Sequence, residues 1–112
     1  MNNYVKTTIG NIFSNLPDRM NKETFETIIS DENLRIEKIV SKGHRSPEDT
    51  WYDQKKNEWV MVLKGSAGLR FEKEQEVVKM MPGDYINIPA HCKHRVEWTD
   101  AEVETIWLAI HY

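Results

Sequence analysis

The groups in this chain best suited to binding a metal or moving a proton at neutral pH are four histidines (His44, His91, His94 and His111), one cysteine (Cys92) and the carboxylates near them. Imidazole titrates near neutrality and offers a nitrogen lone pair, so it serves both as general acid–base and as metal ligand. Two of the histidines and the cysteine crowd into His91-Cys92-Lys93-His94, just after Pro89. Glu58 opens the apolar run Trp59-Val60-Met61-Val62-Leu63, and Tyr52, Asp53 and Gln54 lie a few residues before it. Cys92 has only His91 and His94 nearby as bases, so it reads as an inert thiol. His44 follows Gly43 in a loop, from which it could swing to a pocket mouth, and His111 near the C-terminus reads as uninvolved. Trp51, Trp59, Trp98 and Trp107 read as core aromatics, with Trp107 a candidate pocket wall. No glycine-rich phosphate loop and no Gly-x-Ser-x-Gly elbow occurs, which disfavours nucleotide hydrolysis and serine-esterase chemistry.

Those side chains must be held by rigid elements, and the sequence has two styles of them, meeting near residue 32. Before it, Ile9, Ile12, Phe13 and Leu16 recur at helical spacing until Pro17. A second helical segment is expected from an N-cap at Asn21, with Glu23 in its first turn and Phe25, Ile28 and Ile29 on one side. From Asn33 onward the chain reads as strands: 34–40, 58–63, 67–71, 77–81, 85–88, 94–98 and 103–110. They are rich in Val, Ile and aromatics and are punctuated by Gly43, Ser46-Pro47, Lys64-Gly65, Pro82-Gly83-Asp84 and Pro89-Ala90. Such closely spaced short strands without intervening long helices argue for an all-β sandwich or barrel. One domain is expected, with residues 1–32 as a helical extension and 33–112 as the barrel.

A chain of 112 residues, 39% hydrophobic with four Trp, four Tyr and three Phe, can bury one core without staples. The net charge of −3, with basic residues interspersed among acids, excludes the footprint of a nucleic-acid binder. No apolar stretch approaches bilayer length, and the N-terminus lacks a signal-peptide run. A lone cysteine cannot form an internal disulfide. A cytoplasmic setting is expected, with no membrane partner.

Two segments carry a family resemblance. Glu58-Trp59-Val60-Met61-Val62-Leu63-Lys64-Gly65 places an acid at a strand start and a turn glycine seven residues later. Gly83 to His94 has a glycine, five residues, Pro89, and a histidine five beyond it. They resemble the two motifs of the cupin superfamily, in the right order and separated by a hairpin's worth of strand. The resemblance covers residues 33 to 112 and is nearest to small stand-alone bacterial cupins of unassigned activity. It implies a cupin-type jelly-roll β-barrel with a small-molecule pocket inside.

Cupins often hold a divalent metal through two histidines and a glutamate of the first motif and a histidine of the second. Here Glu58 and His94 match, while the His-x-His pair is absent. With four residues between that pair and Glu58, Trp51 and Asp53 stand in its place, and Asp53, Glu58 and His94 become ligands for Mn, Zn or Fe. With three residues between, Tyr52 and Gln54 face inward instead, leaving one carboxylate and one histidine, a poor metal site. Tyr52, Gln54, His91, Trp107 and His44 are the expected pocket-lining residues. Three functions follow: a metal-dependent oxygenase-, isomerase- or epimerase-like enzyme; metal-free acid–base catalysis by Glu58 and His94; or a non-catalytic module that binds or senses a small molecule. The exposed edges of an open barrel make a homodimer an expectation as well.

Overall fold

The computed structural model describes residues 7–17 and 21–112. Its elements are β1 (Thr24–Asp31), β2 (Leu34–Ser41), β3 (Glu58–Lys64), β4 (Ala67–Phe71), β5 (Val77–Met80), β6 (Tyr85–Ile88), β7 (His94–Thr99) and β8 (Thr105–His111). One sheet runs β1-β2-β8-β3-β6 and the other β5-β4-β7, with every pairing antiparallel. The two sheets face each other as an unclosed sandwich. Strand alternation sends Val60, Val62, Leu69, Met80, Ile88, Trp107 and Ala109 into one apolar core between them.

The N-terminal helical extension is not what forms. Among the described residues there is no helix, and none that could cross a membrane. Residues 7–17 run as turns and irregular chain, with Asn15 at φ 59°. They still touch the sheet, since the Lys38 ammonium donates to the Ser14 carbonyl at 2.7 Å. The second expected helix is β1. Phe25, Ile28 and Ile29 have helical spacing, but this stretch is short and rich in β-branched residues, and a neighbouring strand offers it partners. Phe25 pairs with Ile39 and Ile29 with Ile36 across a hairpin closed between Asp31 and Leu34. A short segment cannot sustain an isolated helix in water, so strand pairing wins. Because β1 is the sheet edge, all eight of its residues remain exposed.

Gly65 turns β3 into β4 with φ 80°. A Cβ there would lie 2.5 Å from Thr105 Oγ1 and 2.7 Å from the Glu104 carbonyl, so the position requires glycine on both conformational and steric grounds. This turn fixes where β3 ends and β4 begins.

Candidate functional site

A cavity of about 240 Å³ opens between the two sheets. Its floor is apolar, with Ile39, Val60, Leu69, Ile88, Val96 and Trp107 and with Glu23 at its edge, and its upper wall carries Arg35, Glu37, Tyr52, Gln54, Glu58, His94 and His111. Strand register produces that division. Arg35 on β2, His111 on β8, Glu58 on β3 and Ile88 on β6 are successive cross-strand partners. Partners directly opposite one another project from the same face, so three polar side chains form one row. Two residues along, Glu37, Ala109 and Val60 form the next row, and beyond it come Ile39, Trp107 and Val62. On the floor, the Trp107 indole N–H donates to Ser41 Oγ at 3.3 Å, and the Ser41 hydroxyl donates to Glu23.

His94 enters from the opposite sheet. Its Nδ1 lies 2.9 Å from the Cys92 carbonyl, which can only accept, so Nδ1 carries a proton. Nε2 is then turned to Glu58 Oε1 at 3.5 Å, and both side chains are almost wholly buried, at 7% and 10% exposure. Burial pushes the imidazolium towards losing its proton. The Glu58 contact, the bond to the Cys92 carbonyl and the Glu58 charge together outweigh it, and His94 is held above the ordinary imidazole value. Tyr52 and Phe71 flank the ring at centroid distances of 5.8 and 6.1 Å.

The same region decides between the two registers open to residues 51–54. Tyr52 and His94 exchange backbone hydrogen bonds of 2.7 and 3.2 Å, and the His91 N–H donates to the Gln54 carbonyl at 2.8 Å. Tyr52 and Gln54 therefore line the cavity, as does Trp107. Asp53 projects outward and meets His91 Nδ1 at 2.8 Å on the surface. His91 lines a separate outer depression with Phe71, Cys92 and Lys93. His44 accepts the Lys42 N–H at 2.8 Å in its own loop and lies outside the cavity lining.

The structure thus brings Glu58 and His94 together and leaves Asp53 apart from them. The metal implied by the family does not fit this donor set. Among the described residues no group of three or more His, Cys, Asp or Glu side chains converges as a metal site, and Asp53 points away from the other two expected ligands. Sequence reasoning also missed a second pair inside the cavity. His111 Nε2 lies 3.4 Å from Glu37 Oε1, with His111 buried and Glu37 partly buried. Reciprocal backbone bonds of 3.0 Å between Asn57 and Tyr112 pin the end of β8, so His111 is held in place. The signal available was alternation along β8, where Trp107, Ala109 and His111 share one face.

The comparisons with known proteins agree with this geometry. The model of the cupin domain family matches residues 38–111. The chain belongs to the cupin family. A putative mannose-6-phosphate isomerase from Ralstonia eutropha JMP134 is similar over 94% of this chain and 97% of its own, at 44% identity and a TM-score of 0.91. A cupin superfamily protein from Desulfitobacterium hafniense DCB-2 has a TM-score of 0.70 at 16% identity, covering 86% and 82% of the two chains. The polyketide cyclase RemF from Streptomyces resistomycificus has a TM-score of 0.69 at 19% identity, covering 81% of this cupin and 65% of its own chain. At such identities these last two show the shared fold alone. A search of the curated proteins finds no match.

Proposed function

We propose that this cupin binds a small polar molecule between its sheets and that His94 and Glu58 move a proton on it without a metal, in an isomerase-type reaction. The observation that carries the reading is the buried His94–Glu58 pair, whose Nε2 and carboxylate meet at 3.5 Å on the cavity wall. A base of this kind needs a defined tautomer, a proton affinity near neutrality and access to substrate. The Cys92 carbonyl supplies the first, Glu58 the second and the cavity the third. Gln54, Tyr52 and Arg35 supply polar groups for orienting a hydroxylated ligand above the Trp107 floor. The similarity to a putative mannose-6-phosphate isomerase at 44% identity favours a sugar-like α-hydroxycarbonyl compound over an aromatic substrate.

The test incubates the protein in D₂O with mannose 6-phosphate, fructose 6-phosphate and the two unphosphorylated sugars. NMR then follows solvent deuterium entering the carbon next to the carbonyl, together with the His94 and Trp107 resonances of the protein. Deuterium wash-in that disappears in His94→Gln supports the reading. Shifted resonances without wash-in contradict proton transfer and leave a binding module, the second function the cavity can serve. Neither wash-in nor shifts with any of the four overturns the sugar-isomerase reading.

A further inference from the structure

The two sheets have four edges, and three of them are protected. Along β7, residues 43–54 run as a covering strap. The Gly43 N–H donates to the Asp100 carbonyl at 2.7 Å, the Ser46 N–H to the Val96 carbonyl at 2.9 Å, and Tyr52 exchanges bonds with His94. β5 and β6 have only four residues each. Lys79 lies within β5, and Pro82 and Pro89 stand before and after β6. Short length, lysine and proline all keep an edge from pairing with another chain. β1 has none of them. It is eight residues long, without Lys, Arg or Pro, and among the described residues its backbone bonds to β2 alone. Phe25, Ile28 and Ile29 stand exposed on it.

The open surface is also large enough for a partner. A folded chain of 13.2 kDa exposes about 6,400 Å², and this one exposes 8061 Å². The radius of gyration, 15.4 Å, likewise exceeds the roughly 13 Å of a compact chain this long. Ile9 and Phe13 of the leader contribute to the surplus beside β1. It exceeds the ~800 Å² per partner that a stable interface covers.

We propose that β1 pairs antiparallel with β1 of a second copy, about a two-fold axis between Thr27 and Ile28, joining the two larger sheets into one. The strand suits its own copy. Phe25 and Ser30 oppose the inward-facing Ile39 and Arg35, while Glu26 and Ile29 oppose Lys38 and Ile36 on the other face. That axis pairs Phe25 with Ser30, Glu26 with Ile29 and Thr24 with Asp31. Each of these pairs shares a face in spite of the bulge between Thr27 and Ile29, and neither acid meets an acid. A contact of this kind uses the same patch on both molecules and closes at two copies. It also walls the cavity. Glu23 and Phe25 line the β1 side of it, where five strands overhang three, and the second copy continues the sheet beside them. The pairing is independent of the chemistry proposed for the cavity.

Sedimentation equilibrium of the full chain, from low to high micromolar, tests it. The expected mass at high concentration is twice 13.2 kDa. Ile28→Lys brings two ammonium groups together beside the axis and should raise the dissociation constant roughly tenfold or more. A second measurement does not depend on that variant folding: Glu26→Cys with Ile29→Cys, made in a Cys92→Ser background. Opposed residues of antiparallel strands have Cα atoms about 4.5–5.5 Å apart, which a disulfide spans, whereas positions 26 and 29 of one strand are roughly 10 Å apart. Mild oxidation should therefore give a covalent dimer. A monomer at every concentration would overturn the pairing, as would species larger than a dimer. So would a dimer that fails to cross-link, or one whose dissociation constant is unchanged in folded Ile28→Lys.

Discussion

The cavity and its outer rim each hold histidine–carboxylate contacts, and the tightest of them is on the rim. His91 and Asp53 meet at 2.8 Å with side chains 66% and 42% exposed, whereas His94 and Glu58 meet at 3.5 Å with almost none of either exposed. Distance alone would rank the rim pair first. Exposure reverses the ranking, because water screens the rim charges and competes for their hydrogen bonds. Inside the cavity each group would lose its solvation without compensation if its partner were gone. The difference teaches that this fold places reactive groups by burying them in register, and that proximity at the surface is a by-product of the turn at His91.

The largest break in that comparison should come from removing a buried partner. Glu58→Ala is expected to lower stability by about 3 kcal/mol, because it leaves the His94 Nε2 facing a cavity. Asp53→Ala should change stability by less than about 0.5 kcal/mol. Urea unfolding of the two variants side by side decides this, and equal losses would abolish the distinction.

A smaller effect concerns pH. The folded protein holds the His94 proton more tightly than the unfolded chain does. The stability that this proton contributes is therefore fully present below the unfolded imidazole value and is lost as pH rises through the higher folded one. The stability gap between wild type and His94→Gln should narrow across that window, as measured by urea unfolding at successive pH values. A gap that widens with pH would contradict the assigned direction.

The smallest effect has the opposite sign. His91 sits at φ 62°, a conformation that costs a residue with a Cβ roughly 1 kcal/mol. His91→Gly should therefore stabilise the protein by about 0.5 kcal/mol even though it deletes the 2.8 Å contact with Asp53. Thermal unfolding checks it. A clear loss of stability would show that the rim pair contributes more than its exposure implies.

Much of the sheet was legible from the residues. Ala67–Phe71 and Tyr85–Ile88 have the bounds expected of them, and the others from β2 onward are shifted by a residue or two. Pro, Gly and Asn-type punctuation marks ends sharply when the intervening run is apolar. The leader was illegible for a physical reason. Phe25, Ile28 and Ile29 satisfy a helical period as well as a strand does, and only the partner β2 distinguishes the two. Glu58 and His94 were legible because motif spacing is local to each strand. The orientation of Tyr52, Asp53 and Gln54 was not, since a one-residue slip inverts every side chain and the bonds that set it come from His91 and His94. Glu37 and His111 lie 74 positions apart in the chain, and only the β2–β8 ladder brings them together.

The most direct test of the account follows the His94 imidazole itself by NMR through a pH titration of the wild type and of Glu58→Gln. The account predicts a wild-type midpoint above the ordinary imidazole value, falling in the variant once the carboxylate charge is gone and burial acts alone. A wild-type midpoint at or below the ordinary value, or one that does not move when Glu58 is replaced, would contradict the claim that this buried pair shares a proton.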